Sequence, residues 1–578
     1  MSACSSSPLR LWPLQLCLVG MLLCQWVPKW IDDGPTLLWI VPVYGPALCC
    51  FLLMLCWVCC SRASKRERWL SLVAWVVGLG LTVALMHPKM RESPLVMQTI
   101  PVGTTLFALA AMAGSRWRPQ KRNLVALVLM LLGFSYSLLW RYGGMRGDFE
   151  QDYVWRWQTS VEEQLVNRSG GQQTSGPVPE SWLQGLAAPE WPEFRGAGRS
   201  GIVKSAARYA TDWEAQSPEL LWQIPVGPGW SSFAVAGQLL FTQEQRGLLE
   251  SVVCYQAESG AEVWVQSVES RFDEPLGGPG PRATPTLAGE GLYAQGAQGW
   301  LMRLDPKTGR VVWQTDIRKV AKRETPMWGF ASSPLVVGSL VMVHASGADD
   351  LGLLAFDTGT GVLRWSSATG DQSYSSPQLM TIDGESVVAI SSNEGVDLFD
   401  PNTGKVRLRY AWPFKGYRCA QPQVVDGSSL IIASGLGAGT RRIRLSKAGE
   451  GWSAEEEWTS RRLKPDFNDF VIFEGHAYGF DDKIFTCIDL KTGERTWKRG
   501  RYQYGKGQVI LLRDSKLLVV ASERGEAVML KADPVGHQVL GRFQALKGKT
   551  WNHPVVVGDR LYLRNGEQAA CYRLPMAE

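Results

Sequence analysis

Histidine is scarce: the 578-residue chain has five, and neither they nor the cysteines of the globular part fall at a metal-ligand spacing. Excess charge is lacking as well. Lys and Arg number 60 against 54 Asp and Glu, a formal net charge of +6, and no basic block lies in the mixed, globular part. Nucleic-acid binding therefore has no compositional support. Acidic and basic residues are missing altogether from five apolar stretches, at about 11–28, 36–60, 69–86, 97–113 and 124–140. That absence argues against a proton or ion path, which shows as ionisable residues inside spans. The bland reading is an anchor, although a quinone pocket between helices would need no charge.

The stretches approach the roughly 20 apolar residues that a membrane span needs, the fourth being the shortest. An amino-terminal signal sequence would also begin with Arg10 and an apolar run, but four further stretches follow, which favours retention. Charge sits in alternate turns: Arg62, Lys65, Arg66 and Arg68 after the second stretch, and Arg116, Arg118, Lys121 and Arg122 after the fourth. These turns are expected on the cytoplasmic side, so five spans would leave the amino terminus cytoplasmic and the carboxyl-terminal part outside, in the periplasm of a cell with an inner membrane. Residues 1–147 then form a multi-pass membrane domain. A joining region, 148–190, carries Val154, Trp157, Val161 and Leu165 near helical spacing, which suits a helix lying on the membrane or packed on a neighbour. It ends in NRSGGQQTSGPVPE, residues 167–180, with the composition of a flexible tether.

Eight of the twelve cysteines (Cys4, Cys17, Cys24, Cys49, Cys50, Cys56, Cys59, Cys60) lie in the apolar region. Of the rest, Cys254, Cys487 and Cys571 occupy one place in successive repeats. Equivalent places in different repeats are too far apart for a disulfide, so they read as buried thiols.

The repeat itself is an Asp, a Gly four residues on and a Trp four beyond: Asp305, Gly309, Trp313; Asp357, Gly361, Trp365; Asp489, Gly493, Trp497. Gln256, Gly260, Trp264 and Asp400, Gly404, Leu408 keep the spacing with one substitution each. Between copies lie runs long enough for four short strands, each opened by Pro285, Pro334, Pro377, Pro422 or Pro554. Asp caps the turn between the third and fourth strands, Gly supplies its positive φ, and Trp on the outer strand docks on the adjoining unit. Trp222, Trp264, Trp313, Trp365, Trp458 and Trp497 take that docking place, with Leu408 and about Phe543 completing eight. The run 552–574 supplies three strands and Leu220–Ile224 the fourth, which closes residues 191–578 into an all-β, eight-bladed propeller without a free edge.

This Asp-Gly-Trp turn resembles the tryptophan-docking motif of quinoprotein-type (pyrroloquinoline quinone-binding-like) propellers, a superfamily that includes the quinoprotein alcohol dehydrogenases and a barrel-assembly lipoprotein. The lead-in WPEFRGAGRSGIV, 191–203, and the run 523–546 also look like its bacterial quinone-binding-like repeat members. No Trp-Asp blade ending and no kelch-type Gly-Gly repeat occurs. The resemblance implies two functions. One is a scaffold that binds proteins or cell-envelope components. The other is a PQQ- and calcium-dependent sugar or alcohol dehydrogenase feeding membrane quinone, as in the membrane-bound glucose dehydrogenase. About 48 residues per blade leave little for the inserted loops that surround the cofactor in such enzymes, and no vicinal cysteine pair occurs within residues 191–578. The scaffold reading is preferred, with no metal or cofactor assigned.

A site, if present, belongs where first strands meet the channel mouth. There Trp230, Arg282, Trp328, Arg418, Asn468, Lys506 and Trp551 offer indoles to stack on a planar quinone and cations for its carboxylates. Tyr374, Asn552 and His553 line the same positions. Asp466, Asn468 and Asp469 form the one local group that resembles a calcium site with a nearby base, with Asp466 and Asp469 the candidate catalytic carboxylates, while His344, His476 and His537 read as isolated surface or strand-end residues.

Overall fold

The computed structural model describes residues 9–30, 40–147, 150–169, 178–205, 207–371, 373–449, 451–498 and 504–577. They form two compact units, Met1–Gln158 and Thr159–Glu578.

The first unit is helical: α1 (Trp12–Trp26), α2 (Val41–Cys60), α3 (Lys65–Leu85), α4 (Ile100–Ala113) and α5 (Pro119–Ser135). Four apolar runs are long enough to cross a membrane, Val41–Cys60, Lys65–Leu85, Leu95–Ala113 and Pro119–Leu139, where the sequence suggests five. The first stretch falls short because α1 has 15 residues, about 22 Å at 1.5 Å per residue against roughly 30 Å of hydrocarbon. Beyond it the backbone tightens into a 3-10 turn, Val27–Trp30, that contains Pro28. The amide of Arg10 donates to Ser61 O at 3.0 Å, so the start of α1 shares the basic end of α2. At that same end Ser64 caps α3 in a reciprocal box with Glu67. Glu67 also receives Arg122 from α5 at 2.7 Å, both side chains being 7% exposed. Gly103 and Gly133 let α4 and α5 touch backbone to backbone, since a Cβ on Gly133 would lie 2.8 Å from Gly103 Cα.

After α5 the chain turns into a hairpin, β1 (Trp140–Met145) and β2 (Gln151–Trp155), which replaces the helix suggested by Val154 and Trp157. The run Tyr153, Val154, Trp155 favours strand, and its rings meet partners directly opposite: Trp140 faces Trp155, and Tyr142 faces Tyr153. Helix begins only at α6 (Val161–Ser169), where Ser160 and Glu163 exchange capping bonds. Most of the tether sequence, residues 170–177, lies outside the described residues.

The second unit is the expected eight-bladed propeller. Its four-stranded sheets span Ala234–Glu269 (blade 1), Thr286–Asp316 (blade 2), Leu335–Ser367 (blade 3), Gln378–Ala411 (blade 4), Gln423–Ser460 (blade 5), Val471–Lys498 (blade 6) and Gln508–Gln544 (blade 7). Blade 8 joins Val555–Arg573 to Glu219–Pro225, with Cys571 opposite Trp222. Sheet closure thus unites the two ends of the repeat array.

The Asp-Gly turns explain the motif. Asp357 Oδ1 accepts the amides of Gly359 and Thr360 at 3.0 and 2.9 Å, and Asp489 Oδ1 those of Lys491 and Thr492 at 2.7 and 2.9 Å. Each following Gly has φ near +70° and lies under the indole of the preceding blade: a Cβ on Gly309 would be 2.6 Å from Trp264. Five indoles then donate to carbonyls of the next blade: Trp222 to Ala257 (2.9 Å), Trp264 to Pro306 (3.1 Å), Trp313 to Thr358 (2.8 Å), Trp458 to Leu490 (3.1 Å) and Trp497 to Asp533 (2.9 Å). Trp365 stacks on Gly404, but its indole nitrogen has no partner among the described residues. Cys254, Cys487 and Cys571 sit opposite Trp264, Trp497 and Trp222, buried and free of disulfides.

His344, at the end of a strand in blade 3, is buried with Nε2 at 2.9 Å from Thr369 and 3.1 Å from Ser346. Burial first, then the charge of Arg323, pushes its pKa down from 6.5 to about 4. The folded state therefore binds fewer protons than the unfolded one between those values. Stability from this site is full above pH 6.5 and falls as pH drops towards 4, by about 3 kcal/mol at the lower limit. We expect chemical denaturation at pH 7 and pH 4.5 to show this loss, and His344→Gln to flatten it. An unchanged slope in the variant would refute the assignment.

Candidate functional site

The residue entering each blade builds the throat of the channel. Its backbone amide donates to the side chain of the equivalent residue one blade on: Ser232 to Thr284 (2.9 Å), Thr284 to Ser333 (3.0 Å), Ser333 to Ser376 (2.8 Å), Ser376 to Gln421 (2.8 Å), Gln421 to Asp469 (2.8 Å) and Asp469 to Gln508 (3.3 Å). Ser232 Oγ closes the belt by donating to His553 O at 2.7 Å. At its entry an inner strand has no neighbouring strand on the channel side, and these side chains satisfy the amides that would otherwise be orphaned. The signal was visible as the polar residue ahead of Pro285, Pro334, Pro377 and Pro422, but a sequence does not show which way it reaches.

Below the belt the lead-in fills the channel. Trp191 pairs with Val235 of blade 1, the amide of Leu287 in blade 2 donates to Pro192 O at 2.8 Å, and Ile202–Val203 adds a parallel strand to blade 7. Between these anchors Arg195 and Arg199 are fully buried. Arg199 donates to Ser333 O (3.0 Å), Pro377 O (2.7 Å) and Pro334 O, and pairs with Glu193 at 2.7 Å. Arg195 donates to Phe470 O at 2.6 Å and stands 3.4 Å from Asp469. Both Arg residues adopt positive φ, as do Gly196, Gly198 and Gly201. The lead-in 191–203 was visible in the sequence as part of the family resemblance, yet nothing local assigned its arginines to the axis.

The candidate base and ligand residues are consequently engaged. Burial would raise the Asp469 carboxyl, but Arg195, His553 and the Gln421 amide hold it below the usual range. Arg195 is itself lowered by burial, an effect that Asp469 opposes. Asp466 receives Lys506 Nζ at 2.5 Å, and Asp482 takes the same ammonium at 2.8 Å. Burial alone would lower Lys506; its two carboxylates raise it. Asn468 accepts the Asp466 amide at 2.9 Å. Asp466 Oδ1 and Asn468 Nδ2 have no partner among the described residues.

The aromatic candidates divide. Trp230 and Trp551 come together, ring centres 4.9 Å apart, with Lys549 over both and Phe467 against Trp551. Their indoles donate to Gly277 O (3.0 Å) and Glu523 (2.8 Å). Trp328 belongs instead to a group with Tyr417, 6.1 Å away, while Tyr374 lies 5.6 Å from Tyr417. Arg282 is spent on Glu274 (3.1 Å) and the carbonyls of Gly278 and Gly280 (2.7 Å each), and burial pushes it down to about 10. Arg418 donates to Ser392 O and Trp412 O between Trp412 and Phe414, and burial followed by Arg441 likewise lowers it to about 10.

This set does not fit pyrroloquinoline quinone with calcium. A carboxylate-rich ligand would have to displace Glu274, Asp466 and Asp482 from the cations it needs. Calcium would compete with Arg195 for Asp469 and with Lys506 for Asp466. Arg195 also fills the axis next to Asp469. Among the described residues no group of three or more His, Cys, Asp or Glu is arranged to hold a metal ion.

A family model described as outer membrane protein assembly factor BamB matches residues 209–328 and 323–499, just over half of the chain. Among solved structures, BamB from Moraxella catarrhalis shares 17% identity over 62% of this chain and 100% of its own, with a TM-score of 0.46. Quinohemoprotein alcohol dehydrogenase ADHIIG from Pseudomonas putida HK5 shares 13% over 69% of this chain and 83% of its own, with a TM-score of 0.50. The corresponding enzyme from Comamonas testosteroni shares 11% over 69% and 83%, at 0.47. Identities this low speak for fold alone. Comparison with curated protein sequences finds no match.

Proposed function

The chain belongs to the family described as outer membrane protein assembly factor BamB, and we propose that its propeller is a membrane-anchored, extracytoplasmic module that binds a protein of the cell envelope. The observation that carries this reading is the internal pairing of the mouth: Lys506, Arg282 and Arg418 are held by the protein's own carboxylates and carbonyls, and Arg195 and Arg199 fill the channel beneath. What the mouth presents is a rim. Met327 is 76% exposed beside half-buried Trp328, and Trp230, Trp551 and Lys549 form a second aromatic and cationic group at the entries to blades 1 and 8. Exposed Met and aromatic residues framed by charge suit a protein partner better than a small substrate.

Orientation follows the same proposal. The basic turns 61–64 and 114–118 lie at one end of the helices, and α5 leads away from them, so the propeller is extracytoplasmic whether or not α1 crosses. Because the start of α1 lies beside Ser61 at the basic end, a cytoplasmic amino terminus requires α1 to cross as a fifth, short span. In this reading 1–147 anchors, 148–190 joins and 191–578 binds, and in a cell with an outer membrane the compartment is the periplasm.

The competing reading, a PQQ-dependent dehydrogenase, makes opposite predictions. Titration of purified full-length protein with pyrroloquinoline quinone and calcium should give no saturable heat and no dye reduction with glucose or alcohols. Saturable binding with substrate-dependent dye reduction would replace the scaffold with an enzyme.

A further inference from the structure

The hairpin that follows the last apolar run carries a ladder of rings that emerges from the first unit. At its inner end Tyr142 is 4% exposed and packs with Met86, Met90 and Met145, at the end of α3 opposite the basic turn. The ladder then passes through Trp140 and Trp155, stacked with centres 4.2 Å apart and planes at 15°, to Trp157, 5.2 Å further on at 14°. Exposure rises along it: Trp155 is 43% exposed and Trp157 69%.

Three features say what covers these rings. Trp140 follows directly on Leu139, the last residue of the apolar run Pro119–Leu139, so the ladder begins where hydrocarbon ends. Tyr136, 40% exposed and 5.8 Å from Trp140, extends the aromatic series back into that run. Arginines border the rings at the same level: Arg156 donates to Leu85 O at 3.0 Å, and Arg91 to Ala84 O at 3.1 Å, both at the end of α3. Indole and phenol rings beside guanidinium groups, one residue beyond an apolar run, match the chemistry of the ester and phosphate layer of a bilayer.

We propose that β1 and β2 form an interfacial anchor, with Trp155 and Trp157 seated in the phospholipid headgroup and ester region of the leaflet away from the basic turns. This rests on the reading of the four apolar runs as spans. Stacking holds the rings rigid, so little side-chain entropy is lost when lipid covers them, and the hairpin fixes the depth at which the chain leaves the membrane.

The test uses the full chain in nanodiscs of phosphatidylcholine and phosphatidylglycerol, with three photoactivatable diazirines: one near the lipid ester, one at the acyl terminus and one water-soluble. Adducts are located by mass spectrometry. We expect the ester-level probe to label hairpin peptides containing Trp155 and Trp157 at least about fivefold more than either other probe, and Trp155→Ser with Trp157→Ser to reduce that labelling while leaving α3 labelled by the acyl-terminal probe. Hairpin labelling only from water, or by none of the three, with α3 labelled from the acyl terminus, would overturn the anchor alone. Failure of the acyl-terminal probe to label α2 to α5 would overturn the spans beneath it.

Discussion

Replacing Arg199 by Met should lower the stability of the propeller by about 3–5 kcal/mol, more than any single change at the mouth. The guanidinium is fully buried and donates to carbonyls at the entry to blades 3 and 4, while Glu193 neutralises it. Methionine fills much of the space but returns none of the bonds. Three carbonyls and the Glu193 carboxylate would lose their donor inside the channel, at about 1–3 kcal/mol for each group left unsatisfied, moderated where water can enter. Arg195→Met should cost a similar amount, since it removes the donor to the carbonyls of Arg199, Ser200 and Phe470 and the cation that balances Asp469. Urea denaturation followed by tryptophan fluorescence measures both. A loss below about 1 kcal/mol for Arg199→Met would mean that the lead-in is a loose tail and that the channel stands without it.

The second large effect belongs to a docking tryptophan. Trp264→Ala should destabilise by about 3–5 kcal/mol, since the indole is 2% exposed, lies against Gly309 and donates to Pro306 O. Gly309→Ala approaches the same interface from the other side. Its φ of +72° disfavours any Cβ, and the atom would sit 2.6 Å from the Trp264 ring, so the two strains add to about 2–4 kcal/mol. Because both substitutions act on one contact, the double variant should fall well short of their sum. Full additivity in a double-mutant cycle would show that ring and glycine stabilise separate things. Trp365→Ala is the internal comparison and should cost less than Trp264→Ala, since its ring is only half-buried and its indole nitrogen donates to nothing among the described residues.

These expectations mark what the sequence could show. Spacing alone carried the repeat, the blade count and the closure of blade 8, because Asp, Gly and Trp each meet a local geometric demand that recurs every 40 to 50 residues or so. Aromatic and β-branched residues in 151–155 pointed to strand, but a helical reading of Val154, Trp157, Val161 and Leu165 won over them; only the cross-strand partners Trp140 and Tyr142 decide between the two. The span count failed at α1 because composition does not reveal that a helix stops at 15 residues. Around the channel the loss was larger. Asp466, Asn468 and Asp469 are near enough in sequence to be grouped by eye, whereas the groups that occupy Asp469, Arg195 and His553, come from residues 274 positions before and 84 after it. Contacts over such distances are made by the ring as a whole, and no window of sequence contains them.

The central claim is that the mouth rim, rather than a cofactor, is where this protein meets its partner. Strand connections alternate between the two ends of a propeller, so Met327, between blades 2 and 3, lies at the mouth, and Val535, in the turn before the last strand of blade 7, lies at the far end. Both are exposed, at 76% and 89%. A photo-crosslinking amino acid placed at each in cells that make the full chain tests the claim most directly. The account predicts a discrete protein adduct from position 327, at least about tenfold above that from position 535. Equal adducts at the two positions, or an adduct from 535 alone, would contradict it.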